Sequence, residues 1–321
     1  MNTTCSTTFR DMEEKLTKKV ELFFQENNIC ESHNIDHILE VVKHAKNAIS
    51  EKNFGSKIDF LIITACILHD VDDGKFFPQG VNQRASLLLN SLRWNQTDIG
   101  YLVKELLHHN YEKVDFLARG AMLNENETTK LANIFMWLNY PNAMKILEEF
   151  EFQSDDIKSI IEMISYVGFY GNGNKIPKRA INNCWLLYPR YADRLDAIGI
   201  RGIERTYQFA YNKGNPIASP DTPVPKDFDE MWQIASIERY ESYGDGKLPH
   251  SPDVITHFYD KMLRLCDFES GNRYIDNLRL TGRDAFLQVM EKYMKHELTH
   301  DWLREYTGLV LNEQGKLEKK R

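Results

Sequence analysis

From residue 60 to 68 the chain reads FLIITACIL, its longest near-continuous apolar stretch, inside an apolar region that opens at Ile58. A membrane helix needs ~20 such residues. The length and the lack of turn residues predict a buried helix, although Ile62-Ile63-Thr64 alone would also suit a strand. The run ends on His69-Asp70, so two polar, metal-competent groups emerge from an apolar element. Burying them costs free energy unless they are paired or bound to something.

The rest of the pattern is also helical. Ile38, Val41, Val42, Ala45, Ala48 and Ile49 line one face of a helix. Further helices are predicted over 86–94, 98–109, 134–137, 143–150 and 155–166, the last with Ser154-Asp155-Asp156 as its N-cap cluster. Residues 185–211 read as one long helix that Pro189 kinks or starts. Helical pattern returns over 254–265 and from 281 to about 306. Prolines and glycines make 212–227 and 243–252 irregular, and the final GKLEKKR reads as a solvated, frayed tail. No run of alternating strands with hairpin turns is visible, so the expected class is all-α.

Composition narrows the function. Forty basic against 47 acidic residues give a net charge of −7, which argues against nucleic-acid duplex binding. No apolar run is long enough for a membrane, and MNTTCSTTFRDMEEK lacks the pattern of a secretory signal. The five dispersed cysteines have no CxxC pair and read as reduced thiols, so a cytoplasmic location is expected.

Other chemistry-bearing residues surround the His69-Asp70 pair. His33 and His37 are four apart, which stacks them on one face of a helical turn. Asp72-Asp73-Gly74-Lys75 follows the pair, and Ala192-Asp193-Arg194-Leu195-Asp196 lies on a later helix. A cation can collect His37, His69, Asp70 and Asp193. Two imidazoles and two carboxylates neutralise a divalent charge and leave positions for water and substrate. His300-Asp301, a second such dipeptide, sits in a polar setting and is read as structural.

The order His…His-Asp…Asp on a helical scaffold resembles the HD-domain superfamily of metal-dependent phosphohydrolases. HNIDHILEVV, LHDVDDGKF, ISYVGFYGNGNK, YADRLDAIGIRGIERT and THFYDKMLRL stand in the family's order. Together they are similar to the small bacterial HD hydrolases that cleave nucleoside triphosphates to monophosphate and pyrophosphate. The resemblance implies an HD-domain helical bundle over 20–212 with an inserted helical segment at about 107–156. A proline-rich connection (213–252) and a C-terminal helical extension (253–310) would follow.

The resemblance implies that His37, His69, Asp70 and Asp193 hold a divalent metal ion (Mn, Mg, Ni, Co, Fe or Zn, with Mn favoured). Asp73 stands where related enzymes place a catalytic carboxylate, and Lys75 would face the phosphates. Lys175, after the glycine-rich 171–174, along with Arg194, Asp196 and His33, is implied at the substrate, a small phosphorylated molecule such as a nucleotide.

Asn34 and Tyr191 replace acidic residues of the family pattern, and the stretch between the HD pair and 164 is longer than in the family. Four alternatives stay open: a phosphomonoesterase, a cyclic-nucleotide phosphodiesterase, a di-iron oxygenase drawing on His108 or His109, and a non-catalytic nucleotide-binding module.

Overall fold

The computed structural model describes residues 3–29, 35–73, 136, 139–168, 174–244 and 249–319. It is mostly helical, as the sequence predicts. Packing divides it into two units. The helices expected over 86–94 and 98–109, and most of the insertion, lie outside the described residues.

The first unit comprises Met1–Ala45, Asn53–Gly171 and Ile176–Arg190. Among the described residues its helices are α1 (Thr3–Glu26), α2 (Ile35–Ser50, whose last residues belong to the second unit), α3 (Ser56–Leu68), α4 (Pro141–Glu149), α5 (Ser154–Val167) and α6 (Lys178–Asn182). A 3-10 turn follows at Cys184–Leu187. The apolar run is α3, and every residue from Leu61 to Leu68 is buried. It packs on α1, α5 and the 3-10 turn.

Leu16, Val20 and Phe24, four apart, give α1 its buried stripe. Phe60 stacks on Phe9 (4.6 Å between centroids) and on Phe152 (5.7 Å). At α5 no side chain caps the helix, and Ser154, Asp155 and Asp156 form its first turn instead. The two carboxylates there complement the positive end of the helix dipole.

The second unit comprises Lys46–Lys52, Asn172–Lys175 and Tyr191–Arg321. The long predicted helix is two, α7 (Tyr188–Ala197) and α8 (Gly199–Asn212). Pro189 lies in the first turn of α7, where a missing N–H is tolerated. Ile198 is extended and Gly199 has φ 70°, which breaks the helix. A Cβ on Gly282 would meet Ile198 Cγ1 at 3.0 Å and Gly199 N at 3.2 Å, so glycine permits this close approach.

Two further helices, α9 (Phe228–Ile234) and α10 (Ile237–Gly244), interrupt the proline-rich region. Next, α11 runs Val254–His257, passes through a π turn at Phe258–Met262 and ends with Leu263–Leu265. It is followed by α12 (Arg273–Met294) and α13 (His300–Thr307). Asp227, Asp253, Asn272 and Thr299 cap α9, α11, α12 and α13 with their side chains.

The C-terminal residues correct the expectation of a frayed tail. β1 (Leu309–Leu311) and β2 (Leu317–Lys319) pair antiparallel, with Val310 opposite Glu318. Asn212 on α8 accepts from Leu317 N (2.8 Å) and donates to Leu317 O (3.1 Å). The Leu317 side chain is buried. One apolar residue and a side chain that copies a strand's hydrogen bonds hold an otherwise charged segment. Among the described residues no helix is long and apolar enough to cross a membrane.

Candidate metal centre

His37 lies in the first turn of α2, beside the fully buried Ile38. His69 terminates α3 with φ −62° and ψ −27°, so the chain keeps coiling as it leaves the helix. Val71 N donates to Leu68 O and Asp73 N to Asp70 O, each at 3.2 Å.

This turn is fastened to the start of α4. The Asp72 carboxylate accepts from Asn142 N (3.0 Å) and Ala143 N (2.9 Å), and Asn142 Nδ2 donates to Val71 O (2.9 Å). A carboxylate on the open N–H groups of a helix satisfies donors with no partner inside it. It is Asp72, not its neighbour Asp73, that fills this role.

Three donors converge here. His69 Nδ1–H donates to Cys66 O at 2.8 Å. In a neutral ring that leaves the lone pair on Nε2. His69 Nε2 lies 3.2 Å from His37 Nε2 and 3.4 Å from Asp70 Oδ1. His37 Nε2 lies 3.5 Å from Asp70 Oδ2. All three residues are buried, His37 at 3% and His69 and Asp70 at 8% exposure.

The spacing fits a shared cation. Donors about 2.0–2.2 Å from one ion in tetrahedral order stand about 3.3–3.6 Å apart. Asp70 Oδ2 is also buried and has no hydrogen-bond partner. A carboxylate oxygen left so is costly without a cation to face. Imidazole nitrogens with one carboxylate suit Mn, Fe, Co, Ni or Zn.

The remaining residues singled out in the sequence are placed as follows. Asp193 is half-buried on α7, in the second unit, and is not one of the three converging donors. Asp73 is half-buried, directly after the α4 cap Asp72. Lys175 is exposed. His33, Lys75, His108 and His109 lie outside the described residues.

Arg194, 3% exposed, donates through Nη1 to Asn174 Oδ1 at 2.8 Å, and its guanidinium lies over the Phe268 ring. Burial pulls its pKa down, against the opposing charges of Tyr240 and Asp193. Asp196, 1% exposed, is bracketed by Arg201 Nε (2.5 Å) and Arg205 Nη1 (3.0 Å). These contacts give Arg194 and Asp196 partners within the protein.

Several participants carried no sequence signal of their own. The Cys66 carbonyl is backbone, and Asn142 is an ordinary polar residue in the first turn of α4 until the fold brings it to Val71. Glu162 on α5, which is not one of the three converging donors, is buried; Tyr166 Oη donates to it at 2.7 Å, and Arg179 Nη1 makes an ion pair with it at 3.3 Å. Burial pushes its pKa up, more than these two partners restore.

No family model matches the chain. It is 26% identical over 272 residues to an uncharacterized protein of Acanthamoeba polyphaga mimivirus, a match covering 84% of this chain and 90% of that one. It is similar in structure to a Lactobacillus plantarum protein at 17% identity and a TM-score of 0.52, covering 88% of this chain and 97% of the other. It is also similar to an HD-superfamily hydrolase from Bacillus thuringiensis at 18% identity and a TM-score of 0.48, covering 90% and 97% respectively. At these identities the Lactobacillus likeness is one of fold.

Proposed function

We propose that this chain is a metal-dependent phosphohydrolase that hydrolyses a nucleoside triphosphate to its monophosphate and pyrophosphate. The observation that carries the reading is the buried convergence of His37, His69 and Asp70. The five motifs of the HD resemblance support it.

His37, His69 and Asp70 would hold the divalent cation, and the motif order adds Asp193 to the set. When bound, such a cation supplies Lewis acidity to a phosphoryl oxygen and lowers the pKa of a water. The Cys66 carbonyl fixes the His69 tautomer that presents Nε2 to the site. Asp73, one turn beyond His69, accepts a proton from the attacking water as its oxygen bonds to the α-phosphorus. The bond from that phosphorus to the bridging oxygen breaks, and pyrophosphate leaves. Lys75 and Lys175 stabilise the charge on the phosphates, and His33 contributes at the substrate.

The test is a product-resolved screen. Metal-stripped protein is reloaded separately with Mn, Mg, Ni, Co and Fe and given nucleoside tri-, di- and monophosphates, cyclic nucleotides and simple phosphoesters. Asp70→Ala serves as the control. Monophosphate plus pyrophosphate, absent with the variant, is the expected result. Orthophosphate alone would replace the reading with a phosphomonoesterase, and a ring-opened cyclic nucleotide with a phosphodiesterase. Two bound irons without hydrolysis would point to an oxygenase, and nucleotide binding without turnover to a binding module.

A further inference from the structure

Two of the three converging donors are neighbours in the chain, yet they are held differently. The His69 ring is steered by its own hydrogen bond to Cys66 O (2.8 Å). The buried Oδ2 of Asp70 has no hydrogen-bond partner. A ligating carboxylate is ordinarily held by hydrogen bonds of its own, so the aim of Oδ2 depends on the main chain that carries it.

That main chain turns on two long contacts, Val71 N to Leu68 O and Asp73 N to Asp70 O, each at 3.2 Å, the upper end of the ordinary range. A shorter bond reaches the turn from 71 residues away, where Asn142 Nδ2 donates to Val71 O at 2.9 Å. Asn142 is a firm point of attachment. It lies in the first turn of α4, which buries Ala143, Met144, Ile146 and Leu147. The N-cap residue Tyr140 makes no side-chain cap there, and the Asp72 carboxylate takes the N–H groups of Asn142 (3.0 Å) and Ala143 (2.9 Å) instead. The two bonds to Asp72 end on the main chain of α4. The bond from Asn142 ends on the main chain of the turn that carries Asp70.

We infer that Asn142 is a positioning residue for the metal centre: by holding Val71 O it sets where the Asp70 carboxylate stands beside His37 and His69. The peptide that carries Val71 O is planar, and Val71 Cα is ~3.8 Å from Asp70 Cα. Fixing that carbonyl therefore fixes the backbone from which the Asp70 side chain springs. The role of Asp70 as a ligand rests on the metal-dependent reading above, and the centre and Asn142 belong to the same unit.

The experiment is calorimetric titration of the metal-stripped full chain with Mn. Wild type is compared with Asn142→Ala, Asp72→Ala, Asp70→Asn, and Asn142→Ala combined with Asp70→Asn. Asn142→Leu, close to asparagine in shape but without a donor, is measured beside Asn142→Ala in case the smaller side chain prevents folding. Removing the Asn142 donor is expected to raise the Mn Kd about tenfold, the lower end of the loss when a group behind the ligands is removed. Asp72→Ala loosens α4 but leaves the Asn142 side chain its acceptor, and should stay within about twofold of wild type. In the Asp70→Asn background the loss of Asn142 should change Kd by less than about twofold, because the two act as one unit.

An unchanged Mn Kd without the Asn142 donor, an undiminished loss in the Asp70→Asn background, or an equal loss in Asp72→Ala would overturn the inference. Failure of both Asn142 variants to fold would make the residue a part of the scaffold and overturn it as well. The expected pattern in a wild-type chain that turns over no phosphoester would uphold it while removing the phosphohydrolase reading. A wild-type chain that binds none of Mn, Ni, Co or Fe would overturn both.

Discussion

Replacing Asp70 with Asn separates a metal centre from a mere buried polar cluster. The substitution keeps the shape and removes the charge. In the metal-free protein Asp70 Oδ2 is buried without a donor, 3.5 Å from His37 Nε2. An amide can place an N–H there, so stripped Asp70→Asn is expected to unfold at or above the temperature of stripped wild type, by up to about 1 kcal/mol.

With cation the order reverses. A ligand at one hundred times its Kd stabilises the folded state by about 2.7 kcal/mol. For a cooperative unit of 150–250 residues that raises Tm by about 5–11 °C. Losing the carboxylate should weaken the cation by at least about a hundredfold, since even groups behind the ligands account for ten to a hundred. At the same concentration only about 0.4 kcal/mol then remains, a shift of about 1 °C. The assay is thermal unfolding of stripped and Mn-titrated protein, wild type beside variant. Equal Mn-dependent shifts in the two proteins would place the cation elsewhere and refute the reasoning.

Other perturbations address the scaffold. Asp72→Ala removes the acceptor for two N–H groups at the start of α4 and should lower stability by about 1–2 kcal/mol, while the Mn-dependent shift in Tm persists. Asp196→Asn weakens the clasp on Arg201 and Arg205 and should lose about 1–3 kcal/mol in denaturant titration with activity retained per folded molecule. Desolvation, with Lys261 and His250 nearby, pushes the His257 imidazole down to about 3. Its folded pKa lies below the unfolded value near 6.5, so the unfolded chain binds more protons between those pH values, and stability falls as the pH drops through that window. His257→Gln should therefore flatten the decline in Tm between pH 6.5 and 4; an unchanged slope would count against this assignment.

The elements most legible in the sequence were those set by their own side chains. Eight successive buried residues in α3 announced a helix inside the fold, and the abrupt change to His69-Asp70 announced its chemistry. The face of α2 was equally plain from its spacing. The unread parts depend on partners distant in sequence. β2 holds because Leu317 is buried and its main chain meets Asn212, 105 residues earlier. The break between α7 and α8 needs Gly199 to take a positive φ and to pass close to Gly282, while the apolar spacing on either side runs on in helical period.

α9 and α10 were hidden by the prolines on either side of them. The site shows the same division. The resemblance named His37, His69, Asp70 and Asp193 together, and the first three converge in the structure. That Arg194 meets Asn174 and that Asp72 caps α4 follow from packing, which residue type does not encode.

The hydrogen bond from His69 to the carbonyl of Cys66 has an evolutionary consequence. A side-chain partner that orients a metal-ligating histidine can be lost to a single substitution. Here the partner is the main chain of α3's last turn, and any residue that keeps that turn helical supplies the same oxygen. The ring's orientation is thus buffered against sequence drift at position 66, and selection acts on it through the integrity of the helix. Relatives with little sequence in common can keep an identical imidazole pose for as long as they keep that turn.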